Sequence, residues 1–201
     1  SIRRRQRQMC IRDRVSSKTN NDIYKARIIF PIKTISGRTA GFGARTLKSN
    51  FKSAKYINSP ESIIYNKSKI LYGLYKSKTQ IVKNDNCYIV EGYTDVIRFH
   101  QKGIPNVVSS SGTALTLGQI NIIRRLTKNI TMLFDSDNAG LNATIRSIDM
   151  ILSEGMNVSI CLFPENEDPD SFARNKNTQE IEAYLNENSI DFIEFKAKEL
   201  N

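Results

Sequence analysis

The chain has 201 residues, 39% of them hydrophobic and 25% charged, and its 30 Lys and Arg outnumber 20 Asp and Glu for a formal net charge of +10. That length and apolar content suit one large or two small domains with a real core, which excludes wholesale disorder and fibrous architectures. No apolar run approaches the roughly 18 to 20 residues of a membrane span, and the N-terminus lacks the apolar core and cleavage site of a secretory signal, so a cytoplasmic chain without a membrane partner is expected. Cys10, Cys87 and Cys161 lie far apart without CxxC spacing, which argues for reduced thiols rather than a disulfide framework or an internal zinc site.

The first fourteen residues, SIRRRQRQMCIRDR, hold six Arg, no Lys and one Asp. The remainder prefers Lys over Arg and is rich in Ile and Asn. The string resembles translated adapter read-through at the end of a gene prediction, so residues 1–14 are expected to be a non-native leader and are set aside from fold reasoning. Residues 15–83 carry eleven Lys and three Arg against only Asp22 and Glu61, a balance of +12, whereas residues 84–201 sum to −7. A basic half that attracts phosphates is joined to an acidic half suited to cations.

In chain order, Arg27 to Leu47 (RIIFPIKTISGRTAGFGARTL) predicts two short strands joined by a turn at Ser36-Gly37-Arg38. Pro31 places its strand at an edge or bulge, and Gly41 and Gly43 indicate bends or close backbone approach. From Pro60 to about Lys78, Ile63, Ile64, Lys67, Ile70, Leu71 and Leu74 fall at helical spacing, with Ser59 as cap and Gly73 weakening the end. Lys76 to Asn86 reads as a connection. CYIVEGY, from Cys87, then predicts a strand, and Thr94 or Asp95 caps a helix running through Gln101 and ending at Gly103. Val107 and Val108 form a second strand before the Ser109–Thr113 loop. Thr116 and Gln119 have capping-box spacing ahead of a helix whose buried face is Leu117, Ile120, Ile123 and Leu126. Ile130 to Phe134 is a third strand, running into Asp135-Ser136-Asp137. A helix with Leu141, Ile145, Ile148 and Leu152 follows and closes at Gly155. Val158 to Phe163 forms a fourth strand, and Thr178 to Leu200 a final helical stretch. Strands alternating with amphipathic helices predict an α/β fold, a parallel sheet flanked by helices.

The loops at the carboxyl ends of parallel strands converge on the ligand edge of such a sheet. Glu91 ends the first strand, Asp135 and Asp137 end the third, Asp95 lies one helical turn past Glu91, and Asp168 and Asp170 follow the fourth. Carboxylates gathered at one edge repel one another unless a cation neutralises them, and hard oxygen donors favour magnesium, with manganese as substitute. Aspartates that simply cap helices are the ordinary alternative. His100 reads as a packing or surface histidine. Ser109 to Thr113 reads either as a phosphate cradle or as a tight turn. Tyr56, Tyr65, Tyr72 and Tyr75 are mostly core residues that could also stack on bases.

The segments VEGYTDVI, SSSGTA, LFDSDNAG and ENEDPDSFAR together resemble the TOPRIM domain of bacterial replicative primases of the DnaG type. The upstream RIIFPI, GRTAGFGAR and KYINSPES…YNKSKILYGLY resemble the basic subdomain that precedes TOPRIM in those enzymes. The likeness runs in consistent order from about residue 25 to about residue 175. It implies a partial basic α+β subdomain over 15–83, a TOPRIM catalytic domain over 84–175 and the start of a helical subdomain over 176–201. It implies that Glu91 is metal ligand and acid/base group, that Asp135 and Asp137 bind catalytic magnesium, and that Asp95, Asp168 and Asp170 belong to the same metal cluster. Arg27, Arg38, Arg45, Lys55, Asn58, Lys67 and Lys69 fall at positions for template and nucleotide contacts. The implied activity is a nucleotidyltransferase, a DNA-directed RNA polymerase that joins ribonucleoside triphosphates into RNA primers on single-stranded DNA. A zinc-binding module upstream and a module for the replicative helicase downstream are expected elsewhere in such proteins. A phage-type primase-helicase, another TOPRIM enzyme such as a topoisomerase or nuclease, and a non-catalytic recombination scaffold are the alternatives.

Overall fold

The computed structural model describes residues 22–47, 54–112, 114–134 and 147–199. The expectations placed on Cys10, Thr113, Asp135, Asp137, Leu141 and Ile145 lie outside them, as does the leader. The chain divides into two compact units after Lys67.

The first unit is a three-stranded antiparallel sheet in sequence order, with β1 (Arg27–Lys33), β2 (Thr39–Thr46) and β3 (Tyr56–Asn58). Pro31 sits on the edge strand, where its missing N–H costs no ladder bond, and the register shifts between Ile32 and Lys33. Phe30, Ile32, Ala44 and Tyr65 are buried in this unit, Tyr65 at 2% exposed. A Cβ on Gly41 would lie 2.9 Å from the Tyr65 ring, so the close approach read from the sequence is real. Ser59 is not a helix cap. It is fully buried, its hydroxyl 2.9 Å from Tyr24 Oη and accepting from Phe42 N–H.

The expected helix from Pro60 does not form. Ser62 and Tyr65 exchange backbone hydrogen bonds in a turn, Ile63 is fully exposed, and Lys67–Lys69 make one 3-10 turn. The helix begins instead at Leu74 and continues to Asn84 (α1), through the stretch expected to be a connection. Gly73, at φ +88°, starts this helix rather than ending one. The buried face of α1 is Leu74, Ser77 and Ile81, and Ser77 docks by donating its hydroxyl to Val107 O at 2.8 Å. A polar residue makes that contact, which is why the apolar periodicity fades there.

The second unit is built on a five-stranded sheet of β4 (Cys87–Val90), β5 (Val107–Ser109), β6 (Asn129–Phe134), β7 (Asn157–Leu162) and β8 (Ser189–Asp191), in the order β5-β4-β6-β7-β8. All neighbours are parallel except β8, which pairs antiparallel with β7. Strand residues alternate between two apolar layers. Ile89, Val108, Met132 and Ile160 pack with α1, α3 (Leu117–Arg124), helical residues 147–153 (α4) and Phe192 of α7 (Phe192–Glu199). Val90, Val107, Leu133 and Cys161 pack with α2 (Tyr93–Gln101), α5 (Pro169–Arg174) and α6 (Thr178–Asn188). Helices on both faces of a mostly parallel sheet are the expected architecture.

The Thr116–Gln119 capping box forms, with Gln119 N–H donating to Thr116 Oγ1 and Thr116 N–H to Gln119 Oε1. Leu117, expected in the buried face of α3, is 48% exposed, and Leu152 of α4 is 36% exposed where Ile148 and Ile151 are fully buried. The expected helical stretch over Thr178–Leu200, read as the start of a helical subdomain, is interrupted because Ser189–Asp191 pair with the outer edge of β7. Ile181, Leu185 and Phe192 from this region enter the sheet's two cores.

At the amino edge of the sheet, an asparagine begins or immediately precedes each of the four parallel strands. Asn106 donates to Asn86 O at 3.0 Å, Asn86 Nδ2 to Thr131 Oγ1 at 3.1 Å, and Asn157 Nδ2 to Asn129 Oδ1 at 2.7 Å. Asn129 and Thr127 both donate to the carboxylate of Asp85, which closes α1 in the left-handed region at φ 44°.

Candidate functional site

The opposite, carboxyl edge collects the acidic residues. Glu91 follows β4 directly. Its carbonyl accepts from Ser109 Oγ at 2.6 Å and from Gly112 N–H at 3.2 Å. Ser109 is fully buried and also accepts from Ser111 N–H at 2.8 Å. Thus the described part of the serine-glycine loop acts as a tight turn that pins the backbone of Glu91, with Ser111 and Gly112 both at positive φ. The Glu91 side chain is exposed, and among the described residues no hydrogen bond or ion pair engages its carboxylate.

The helix after Glu91 is capped by Gly92, not by Thr94 or Asp95. Asp95 stands at the third helical position, and its carboxylate accepts from Gly92 N–H at 2.9 Å. Burial pushes the Asp95 carboxyl up to about 6, the Gly92 hydrogen bond opposes this, and the neighbouring charges of Asp168 and Asp170 add to it. Asp168 caps α5, accepting from Ser171 N–H at 2.6 Å. Asp170, in the first turn of α5, takes Arg98 Nε on one oxygen at 2.8 Å and Arg174 Nη2 on the other at 2.9 Å. Burial alone would raise the Asp170 carboxyl, but the two guanidinium groups outweigh it and hold it below the ordinary range. In the same loop, Glu167 Oε2 is shielded from solvent and has no hydrogen-bond partner among the described residues.

Asp95, Asp168 and Asp170 are therefore within electrostatic reach of one another, and Glu91 shares their sheet edge. Among the described residues, no three His, Cys, Asp or Glu side chains form a metal site by themselves. The donor chemistry nevertheless fits a hard divalent cation. It is all oxygen, Glu91 has no ion-pair partner among the described residues, and Asp95 is held towards its neutral form where a cation would favour the carboxylate.

The proton on Asp95 is bound more tightly in the folded chain than at the ordinary 3.8 of an unfolded one. This group therefore favours folding most below about pH 4, and that contribution is lost as pH rises through about 6. Asp95→Asn keeps the acceptor for Gly92 without the charge. In metal-free buffer its melting temperature is expected to gain on that of the wild type as pH is raised across this window. A constant difference across the window would contradict the burial of this carboxylate.

The basic residues of the first unit gather mainly at one end of its sheet. Arg27 pairs in register with Thr46 and donates to Lys55 O at 3.2 Å. Ile28, Arg45 and Tyr56 form one cross-strand row, with the Arg45 guanidinium 5.6 Å from the Tyr56 ring centre. Lys55 is exposed, and Asn58 is half-buried opposite Gly43. Arg38 is exposed at the far turn, and Lys67 donates its backbone N–H to Glu61. Lys69, described with the second unit, lies beside Gly118 at the start of α3. Tyr65 is a core residue, Tyr72 packs edge-on against Tyr93 at 4.7 Å, and Tyr56 remains partly open on the basic row.

His100 Nε2 lies 3.1 Å from Val107 O and 3.2 Å from Ser77 Oγ, and burial lowers its pKa, as a packing histidine requires. Cys87 and Cys161 are fully buried, and burial raises both thiols, Cys161 to about 11, so neither offers a thiolate. Arg98 and Arg174 were not singled out in the sequence. Arg174 was legible four residues after Asp170, whereas Arg98 lies 72 residues away and leaves no local trace.

A family model described as the N-terminal domain of the DNA primase catalytic core matches residues 3–78, and a Toprim-like model matches residues 88–173. The chain is 40% identical over 165 residues to a DNA primase of Aquifex aeolicus, covering 82% of this chain and 33% of that protein. It is also 40% identical over 181 residues to a DNA primase of Clostridium acetobutylicum, covering 90% and 30% respectively. It thus spans about a third of the length of these relatives. Among solved structures, a DNA primase domain from Pseudomonas aeruginosa superposes with a TM-score of 0.83 at 34% identity, covering 92% of this chain and 59% of that one. The Escherichia coli primase catalytic core gives 0.83 at 31% identity, covering 98% and 64%. A DnaG primase catalytic domain bound to single-stranded DNA gives 0.81 at 33% identity, covering 92% and 59%. No described helix is long and apolar enough to cross a membrane.

Proposed function

Because this chain belongs to the family of bacterial DNA primases of the DnaG type, we propose that it carries the primer-synthesising centre of such an enzyme, a cytoplasmic nucleotidyltransferase that joins ribonucleoside triphosphates on a single-stranded DNA template. The observation that carries the reading is Glu91 at the carboxyl edge, exposed, without an ion-pair partner among the described residues, and fixed by Ser109 and Gly112.

Glu91, Asp135 and Asp137 would hold magnesium, or manganese in its place, with Asp95 and Asp168 beside them. A divalent cation bound there supplies charge neutralisation on the α-phosphate and a lower pKa for the attacking 3′-hydroxyl. The protein's own part is to present Glu91 as ligand and proton acceptor on a backbone held by the hydrogen bonds of Ser109 and Gly112. Arg27, Arg45 and Lys55 form a basic end on the small sheet, suited to template phosphates, and Arg38, Asn58, Lys67 and Lys69 extend the set. Residues 15–83 and 84–175 are read as the template-binding and catalytic parts. A zinc-binding module and a helicase-binding module belong to the remainder of such proteins. A primase-helicase fusion or a different TOPRIM protein is less well supported, because the primase-specific model covers the basic region as well.

The test is incorporation of ribonucleotides on single-stranded DNA with magnesium or manganese. DNA cleavage or bare binding would overturn the proposal. Template binding should also weaken with salt. About five phosphate contacts on a single strand predict roughly a hundredfold loss between 50 and 200 mM salt. Affinity independent of salt would remove the electrostatic role of the basic residues.

A further inference from the structure

Asp170 stands where the family resemblance expects a metal ligand, yet both its oxygens are taken by arginines. Arg98 comes from α2, the helix that follows Glu91, and Arg174 from the last turn of α5 itself. The side chains of Asp170 and Arg98 are 19% and 29% exposed, so the pair is partly desolvated and its field reaches its neighbours. Asp95 lies one turn before Arg98 on the same helix and already feels the charges of Asp168 and Asp170. Two arginines thus stand in, within the chain, for part of the positive charge that this edge otherwise draws from a cation.

We infer that Arg98 is a positioning residue that clamps Asp170 away from the metal and thereby weakens and tunes the affinity of the acidic edge for divalent cations. The inference rests on the metal site proposed above. Its sign follows from electrostatics. Removing the guanidinium both releases a carboxylate towards the cation and removes a like charge near it, and each change tightens metal binding. Arg174 shares the clamp but is 59% exposed, so water screens it and its effect is smaller.

The experiment is direct titration of the full chain with Mn2+, read by the electron paramagnetic resonance of the free ion, with no nucleotide or DNA present. Arg98→Met is expected to tighten Mn2+ binding by about tenfold, Arg174→Met by less, and Arg98→Lys, which keeps the charge, to stay near the wild type. Circular dichroism checks that each variant folds. Should Arg98→Met fail to fold, Arg174→Met carries the same sign. Equal loss of thermal stability in Arg98→Met and Arg98→Lys, with Mn2+ affinity unchanged in both, would overturn the clamp and leave a simple fastening between two helices. Absence of Mn2+ binding by the wild type would overturn the clamp together with the metal site on which it rests.

Discussion

Glu91→Gln is expected to cut ribonucleotide incorporation by at least roughly a hundredfold while leaving the fold intact. The two side chains are nearly isosteric, so the substitution removes a charge without removing volume. The backbone of Glu91 is held through its carbonyl, which the change does not touch. Because the carboxylate is exposed and no described partner engages it, stability should move by no more than about 0.5 kcal/mol. Incorporation assays beside thermal unfolding of the same preparation separate the two effects. Near-normal synthesis by the folded variant would remove Glu91 from the reaction.

Phe172→Ala should produce the largest loss of stability among single changes near the acidic edge, about 3–5 kcal/mol by urea unfolding. Phe172 is 2% exposed, with its ring 4.9 Å from Phe163 and 4.4 Å from Tyr184, and Lys176 Nζ lies 4.3 Å from its centre. It sits between Asp170 and Arg174 on α5, so its cavity also loosens the helix that carries Asp168 and Asp170. A loss below about 1 kcal/mol would mean that the cavity collapses without disturbing the aromatic cluster.

The second unit was legible in the sequence because its signals are local and agree with one another. Ile130 to Phe134 is a wholly buried central strand, Gly103 and Gly155 both end helices in left-handed geometry, and Thr116 with Gln119 announces the start of α3. Signals that depend on tertiary partners were not legible. α1 docks through the hydroxyl of Ser77, β3 and β8 are three residues each, and Tyr65 turns inward from a segment whose spacing is helical. The acidic edge was readable from strand ends alone. The arginines on Asp170 were not, since a salt bridge between helices 72 residues apart is a property of the packed sheet.

The row of asparagines at the other edge gives these carboxylates their setting. Asn106, Asn86, Asn129 and Asn157 stitch the starts of neighbouring strands together, and Asp85 is saturated by Thr127 and Asn129. A parallel sheet has two chemically distinct rims, and here they are made opposites. One rim is joined by hydrogen bonds among its own side chains, which tie the strand starts together without drawing on what the other rim holds. At the metal site proposed above, the charged rim would lose or gain a cation with the backbone of Glu91 already held by Ser109 and Gly112.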